Sequence, residues 1–273
     1  MRVKVLGPLG ADVNGVNVVP TASKPRQILA LLALYPRRVV PISTLMEEIW
    51  GVDLPASAMT TLQTYILQLR RRLGTAMGPD AAGSAKDVLV TRYGGYLLQI
   101  PPEQVDVHEY ERLVAGGQRA FDSGDDRAAA TLFGRALDLW DGSALVDVRM
   151  GCVLEIEATR LEESRLVTLE RRIDAELRLG RHCEFLAELS DLTARHPRHE
   201  GLHSQAMVAL YRSGRQASAL DVYQRLRARL IEDLGVEPSP QLQRLHQAIL
   251  AVDPRLDVIA GPRPSSTFDR YAS

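Results

Sequence analysis

A chain of 273 residues, 45% hydrophobic and 25% charged, has the composition of an ordinary globular protein with room for two domains, which excludes a wholly disordered or fibrous chain. Its net charge of -1 conceals an asymmetry: residues 1–100 hold 11 Lys and Arg against 6 Asp and Glu, or +5, and the remainder holds 22 against 28, or -6. One half is therefore suited to phosphates and the other is not. Cys152 and Cys183 form neither a disulfide framework nor a CxxC motif. The opening MRVKVLGPL lacks a secretory apolar core, and no stretch reaches the roughly 20 apolar residues of a membrane span, so a cytoplasmic protein with no membrane partner is expected.

Val3, Val5, Leu6, Leu9 and Val13, then an Asn14-Gly15 turn before residues 16–19, predict short strands of a small antiparallel sheet. Lys24-Pro25 starts a helix whose broad apolar face includes Ile28, Leu29, Leu31, Leu32 and Leu34, and Pro36 ends it. A strand is expected at residues 39–42. Ser43 or Thr44 then caps a helix containing Leu45, Ile49 and Trp50, with Thr44 and Glu47 at capping-box spacing, and residues 51–55 form a turn.

Ser57 is placed to cap the following helix, residues 57–73 (SAMTTLQTYILQLRRRL). At 100° per residue Leu62, Ile66, Leu69 and Leu73 share one stripe that must face a core, while Thr60, Thr64, Gln68 and Arg71 point the other way. Helix, short turn, helix is the connectivity in which the second helix enters a DNA major groove, and short polar side chains can reach base edges there. Residues 74–87 read as a loop. Residues 88–91 and 96–100 then flank Gly94-Gly95 as a hairpin, the expected wing.

Pro101-Pro102 marks the expected domain boundary, beyond which helical periodicity runs to about residue 250. Gly180-Arg181 and Gly214-Arg215 lie 34 residues apart, the tetratricopeptide period. At that offset Ile173 matches Met207, Ala175 matches Ala209, Leu177 matches Tyr211, Leu186 matches Leu220, and Leu189 matches Tyr223. Gly124, with Ala130 and Phe133 following, begins a similar turn but precedes Gly180 by 56 residues, so an insertion or a longer helix interrupts the array. The fold class expected is mainly α with a small β component. Residues 1–100 form a winged helix-turn-helix, residues 101–251 an all-α tetratricopeptide-like domain, and residues 252–273 a flexible tail.

KPRQILALLAL at residues 24–34, the helix at 57–73, RYGGYLL at 92–98, and the segment from HPRHEGLHSQAMVALYRSGR to EPSPQLQRL at 196–245 together resemble the Streptomyces antibiotic regulatory proteins. Those proteins join an OmpR-type winged helix to a bacterial transcriptional activation domain, and the likeness covers residues 1–250 in family order. The resemblance implies an activator that binds direct repeats in double-stranded promoter DNA of antibiotic biosynthetic genes and contacts RNA polymerase, including its sigma subunit. It also implies the short form of the family, with neither receiver domain nor ATPase module and with activity set by abundance.

Each residue expected to touch DNA also has a duller possible role. Thr60, Thr61, Thr64, Gln68 and Arg71 form either a solvated helix face or a reading face, and the helix-turn-helix context favours reading. Arg71 is suited to guanine O6 and N7 or to a phosphate. Arg70 and Arg72 are structural or phosphate-binding; Lys24 and Arg26, beside a helix amino terminus, are expected at phosphates. Arg92 and Tyr93 at the hairpin tip either make the turn or contact phosphate or the minor groove, and Tyr96 packs inward. Leu67 stays unassigned. His196, His199 and His203 sit at a repeat turn, and neither a metal nor any other cofactor is expected. The chain carries no GxxxxGK[ST], HExxH or GxSxG string, and an enzyme is not expected. Direct repeats call for protomers facing one way, head to tail, so a homodimer is expected at least on DNA. Two other readings remain: a repressor or a metabolite- or peptide-gated regulator, and a repeat scaffold with no DNA role.

Overall fold

In a computed structural model, which describes residues 1–78 and 83–257, the chain begins with a three-stranded antiparallel sheet of β1 (Arg2–Lys4), β2 (Gly10–Val13) and β3 (Val16–Asn17). Val3 opposes Ala11 and Val13 opposes Val16. Asn14 and Gly15, with φ of 53° and 81°, make the two-residue turn with both central residues left-handed that matches strand twist. Then come α1 (Ser23–Leu34), β4 (Val40–Pro41), α2 (Ile42–Trp50) and α3 (Ala58–Met77). A single turn, α4 (Ala85–Val88), leads into β5 (Leu89–Arg92) and β6 (Gly95–Leu98), and β6 lies between β4 and β5. Gly95 is required where β4 meets β6, because a Cβ there would stand 2.3 Å from the Val40 carbonyl oxygen.

The remainder of the described chain is helical: α5 (Asp106–Asp122), α6 (Asp126–Leu137), α7 (Cys152–Arg178), α8 (Leu186–Arg195), α9 (Glu200–Arg212), α10 (Gln216–Leu234) and α11 (Pro240–Leu250). Both an insertion and a longer helix separate Gly124 from Gly180: irregular residues 138–151 and the 27-residue α7. Gly124, Gly180 and Gly214 all have φ near +80° (81°, 81° and 75°), which L side chains avoid. The 34-residue correspondence extends to burial at four of the five pairs: Ile173, Ala175 and Leu189 are buried as are Met207, Ala209 and Tyr223, and Leu186 and Leu220 are both half-buried, whereas Leu177 is buried and Tyr211 only half-buried.

Several local expectations are corrected. Helix α2 starts at Ile42 with Pro41 in the cap position, so Ser43 and Thr44 lie inside it and cap nothing. Glu47 accepts instead from the Cys152 thiol at 3.5 Å. Ser57 is the N-cap of α3 but makes no side-chain capping bond. The loop expected at 74–87 shrinks at both ends, because α3 continues through Gly74 to Met77 and Ser84 begins α4 with a reciprocal capping box to Asp87. Residues 79–82 of that loop lie outside the described residues.

The folded units also bracket the chain differently from a cut at Pro101. One comprises residues 1–113 with 135–166, the other residues 114–134 with 167–257 of the described chain. In the first unit the Asp106 carboxylate accepts from the Val5 N–H at 2.9 Å and the Leu6 N–H at 3.2 Å, the Asp141 N–H donates to the Leu6 carbonyl at 2.8 Å, and the Leu145 N–H donates to the Val5 carbonyl at 3.1 Å. Asp147 accepts from the Leu9 N–H at 2.7 Å. These backbone groups need partners once buried, and residues far along the chain supply them. In the second unit Phe121, Ala129, Ala130, Phe133 and Ala175 form one apolar cluster, and the Arg178 guanidinium sits 4.1 Å from the Phe121 ring centre. Residues 252–257, expected as tail, are folded: Leu256 is fully buried and its carbonyl accepts from Arg212 Nε at 2.8 Å. Residues 258–273 lie outside the described residues. Among the described residues no helix is long and apolar enough to cross a membrane.

Candidate nucleic-acid interface

Leu62, Ile66, Leu69 and Leu73 of α3 are all at most 2% exposed. This apolar stripe packs toward α1, β2 and α4, and it fixes which side of α3 faces outward. That side carries Thr60, Thr64, Gln68 and Arg71, all exposed, with Thr61 half-buried at its edge. The Thr64 hydroxyl donates to the Thr60 carbonyl at 3.0 Å, so its lone pairs remain free to accept. Leu67 and Met59, 48% and 44% exposed, add apolar area beside the polar row. Small hydroxyls, an amide, a guanidinium and methyl-bearing groups along one helix face match the mixture of donors, acceptors and methyls on base edges.

The arginines at the end of α3 separate by role. Arg71 is exposed and makes no ion pair among the described residues. Arg70 faces the hairpin: its Nε and Nη2 donate to the Leu89 carbonyl at 2.9 and 2.7 Å, and Nη2 donates to Thr91 Oγ1 at 2.8 Å. It therefore fastens the first strand of the wing to the helix. Arg72 is exposed and reaches the Val19 carbonyl at 3.5 Å, toward the first sheet.

The wing tip is formed by Tyr93 and Gly94, whose φ is +77°; Tyr93 is fully exposed, Arg92 is exposed, and Tyr96 turns inward at 6% exposure. At the start of α1, Lys24 is half-buried with its ammonium 5.0 Å from the Trp50 ring centre. Arg26 forms an ion pair with Asp147. Its charge is thus answered within the protein, by a residue more than a hundred positions away that no local pattern ties to it.

Two other features escaped sequence reading. Arg37 and Arg38 are exposed in the turn before β4, where Arg37 adopts φ of 60° and donates its N–H to the Leu98 carbonyl at 2.9 Å. Their adjacency was the available signal. Glu48, buried in α2, accepts from the N–H groups of Gly151 at 2.5 Å and Leu154 at 2.9 Å at the start of α7, while Gln27 Nε2 lies at 3.4 Å. Burial pushes its carboxyl above the ordinary glutamate range, and these N–H groups pull the other way. Gly151 is obligatory at this contact, since a Cβ there would stand 2.0 Å from the Glu48 carbonyl oxygen. His199 serves as the N-cap of α9, accepting from the Leu202 N–H at 3.4 Å, which gives that histidine a structural task.

An exposed polar helix face beside a hairpin that carries Arg92, followed by a largely helical remainder, is the architecture of a winged helix joined to a helical region. Known proteins agree: a profile described as transcriptional regulatory protein, C terminal, matches residues 17–98, and one described as bacterial transcriptional activator domain matches residues 105–250. The regulatory protein DnrI of Streptomyces peucetius is 54% identical over 257 residues, 94% of each chain. The regulatory protein AfsR of Streptomyces griseus is 40% identical over 94% of this chain, which spans 25% of AfsR. A structure of Mycobacterium tuberculosis EmbR in complex with a low-affinity phosphopeptide superimposes with a TM-score of 0.85 at 32% identity, covering 93% of this chain and 65% of that one. The chain belongs to the Streptomyces antibiotic regulatory protein family of transcriptional regulators, and these relatives are regulators rather than enzymes.

Proposed function

We propose that the protein activates transcription by reading direct repeats in double-stranded promoter DNA of biosynthetic genes and recruiting RNA polymerase through its sigma subunit. The observation that carries this reading is the exposed row Thr60, Thr64, Gln68 and Arg71 on α3, set opposite a stripe that is at most 2% exposed. In this scheme α3 lies in the major groove with Thr61 at its margin, Arg71 takes a guanine edge or a phosphate, and Arg92 and Tyr93 follow the backbone into the neighbouring groove. Arg72, Lys24, Arg37 and Arg38 add phosphate contacts, while Arg70 acts by holding the wing and Arg26 by its bond to Asp147. Two copies side by side on repeats about one helical turn apart share one face of the duplex, forming a dimer on DNA.

Residues 1–100 supply the DNA-reading function and residues 101–251 the contact with the transcription machinery, at the nucleoid in the cytoplasm. Footprinting of a cognate promoter with and without polymerase tests the scheme. Tandem protection adjoining the promoter element that sigma contacts is the expected result. Sequence-independent protection, or none, overturns it.

A further inference from the structure

Beyond residue 100 the chain is acidic overall, and many arginines there are answered by acids: Arg178 by Asp174, Arg181 by Glu176, Arg195 by Asp191 and Arg227 by Glu237. Arg225 and Arg229 differ. One turn apart on α10, they are exposed and make no ion pair among the described residues, and both line a cleft of about 410 Å³ shared with α8 and α9.

Among the described residues that line this cleft none is acidic. Ala194, Pro197, Val222 and Leu226 give it apolar walls, and Ser190 and Thr193 place hydroxyl groups on the α8 side. His203, buried at 7% exposure, also lines it; its Nδ1 is 3.0 Å from the His199 carbonyl and therefore carries the proton, leaving Nε2 for an occupant. Burial keeps this imidazole below its ordinary range, against the His199 carbonyl and the Glu200 charge, which pull the other way, while the His199 and Arg225 charges add to the lowering.

We propose that this cleft is a binding site for a small organic carboxylate with an apolar body. The volume falls in the range of small-ligand pockets, roughly 300–1,000 Å³. Two guanidiniums one turn apart suit a carboxylate, to which arginine donates paired bonds. Inorganic phosphate would satisfy the arginines and leave the apolar walls wet. A neutral apolar molecule would cover the walls and strip water from two unpaired cations. The neutral Nε2 of His203 is an acceptor, suited to a hydroxyl or amide N–H on the ligand's body. This site is independent of the DNA-reading face.

Calorimetric titration of the full chain with octanoate tests the assignment, with octanol and inorganic phosphate as comparison probes. Saturable octanoate binding is expected, weakened about tenfold by Arg225→Gln and again by Arg229→Gln. Ala194→Phe, which fills the cleft from an exposed position, should abolish binding while leaving the far-ultraviolet circular dichroism unchanged. Absence of octanoate binding, equal binding of octanol or phosphate, or indifference to both arginine substitutions would overturn the proposal.

Discussion

Arg70 and Arg71 are neighbours with separate tasks, because one residue advances the helix by about 100°. Arg71→Ala removes an exposed side chain and should weaken promoter binding by about 1–3 kcal/mol with thermal stability unchanged. Arg70→Ala removes charged bonds to the Leu89 carbonyl and Thr91, so it should lower the melting temperature by a few degrees as well as weaken binding. Thermal melts run beside gel-shift titrations separate the two, and equal melting of both variants would remove the role given to Arg70. Half of that division was legible, because helical spacing sets Arg71 apart on the outward face; whether Arg70 is structural or phosphate-binding could not be read until its partner, the Leu89 carbonyl nineteen residues on, was placed. The exposed row on α3 was legible because its opposite stripe is apolar at helical spacing, and Tyr93 because a hairpin tip has nowhere to bury a ring.

At the scale of elements, amphipathic helices and glycine-marked turns followed from local pattern, since their driving force is a single buried face. The features that local pattern missed involve partners remote in sequence. Thr44 and Glu47 had capping-box spacing, yet Pro41 takes the cap position and Glu48, one residue further, is the carboxylate with the structural task. Replacing Glu48 with alanine strands the N–H groups of Gly151 and Leu154 at the start of α7, at a cost of about 2–4 kcal/mol measurable by denaturant unfolding. The same carboxyl sets a pH dependence. Burial raises its folded-state pKa above the unfolded value of 4.5, so the folded form holds the proton more tightly. Its contribution is therefore fully present below pH 4.5 and is lost as pH rises through the raised folded value. Asp106, pushed up by burial too, acts in the same sense. Because Asp87, Glu109, Glu111, Glu237 and Asp253 are lowered and act in the opposite sense, the test is the difference between wild type and Glu48→Gln: the stability advantage of the wild type should fall as pH rises through this window, and a difference independent of pH would contradict the assignment.

For the whole molecule, the charge division between the halves predicts DNA affinity that falls steeply with salt, whereas loss of Arg71 should change the slope by only about one phosphate contact. A salt titration of binding checks this, and a flat dependence would argue against a phosphate-led interface. The proline pair at 101 and 102 reads as a seam because β signals stop there, yet the first folded unit reclaims residues 135–166. A fragment of residues 1–100 should accordingly melt well below the full chain, lacking Asp106, Asp141, Leu145 and Asp147 as partners for Val5, Leu6 and Leu9. Calorimetry of the fragment decides, and a melting temperature equal to that of the full chain would refute it. The reclaimed segment also constrains how such regulators can be recombined. A chimaera spliced at the obvious junction would orphan Glu48 and Arg26, so grafting this reader onto a foreign effector half requires carrying along the stretch through residue 166, and natural shuffling of these modules faces the same toll.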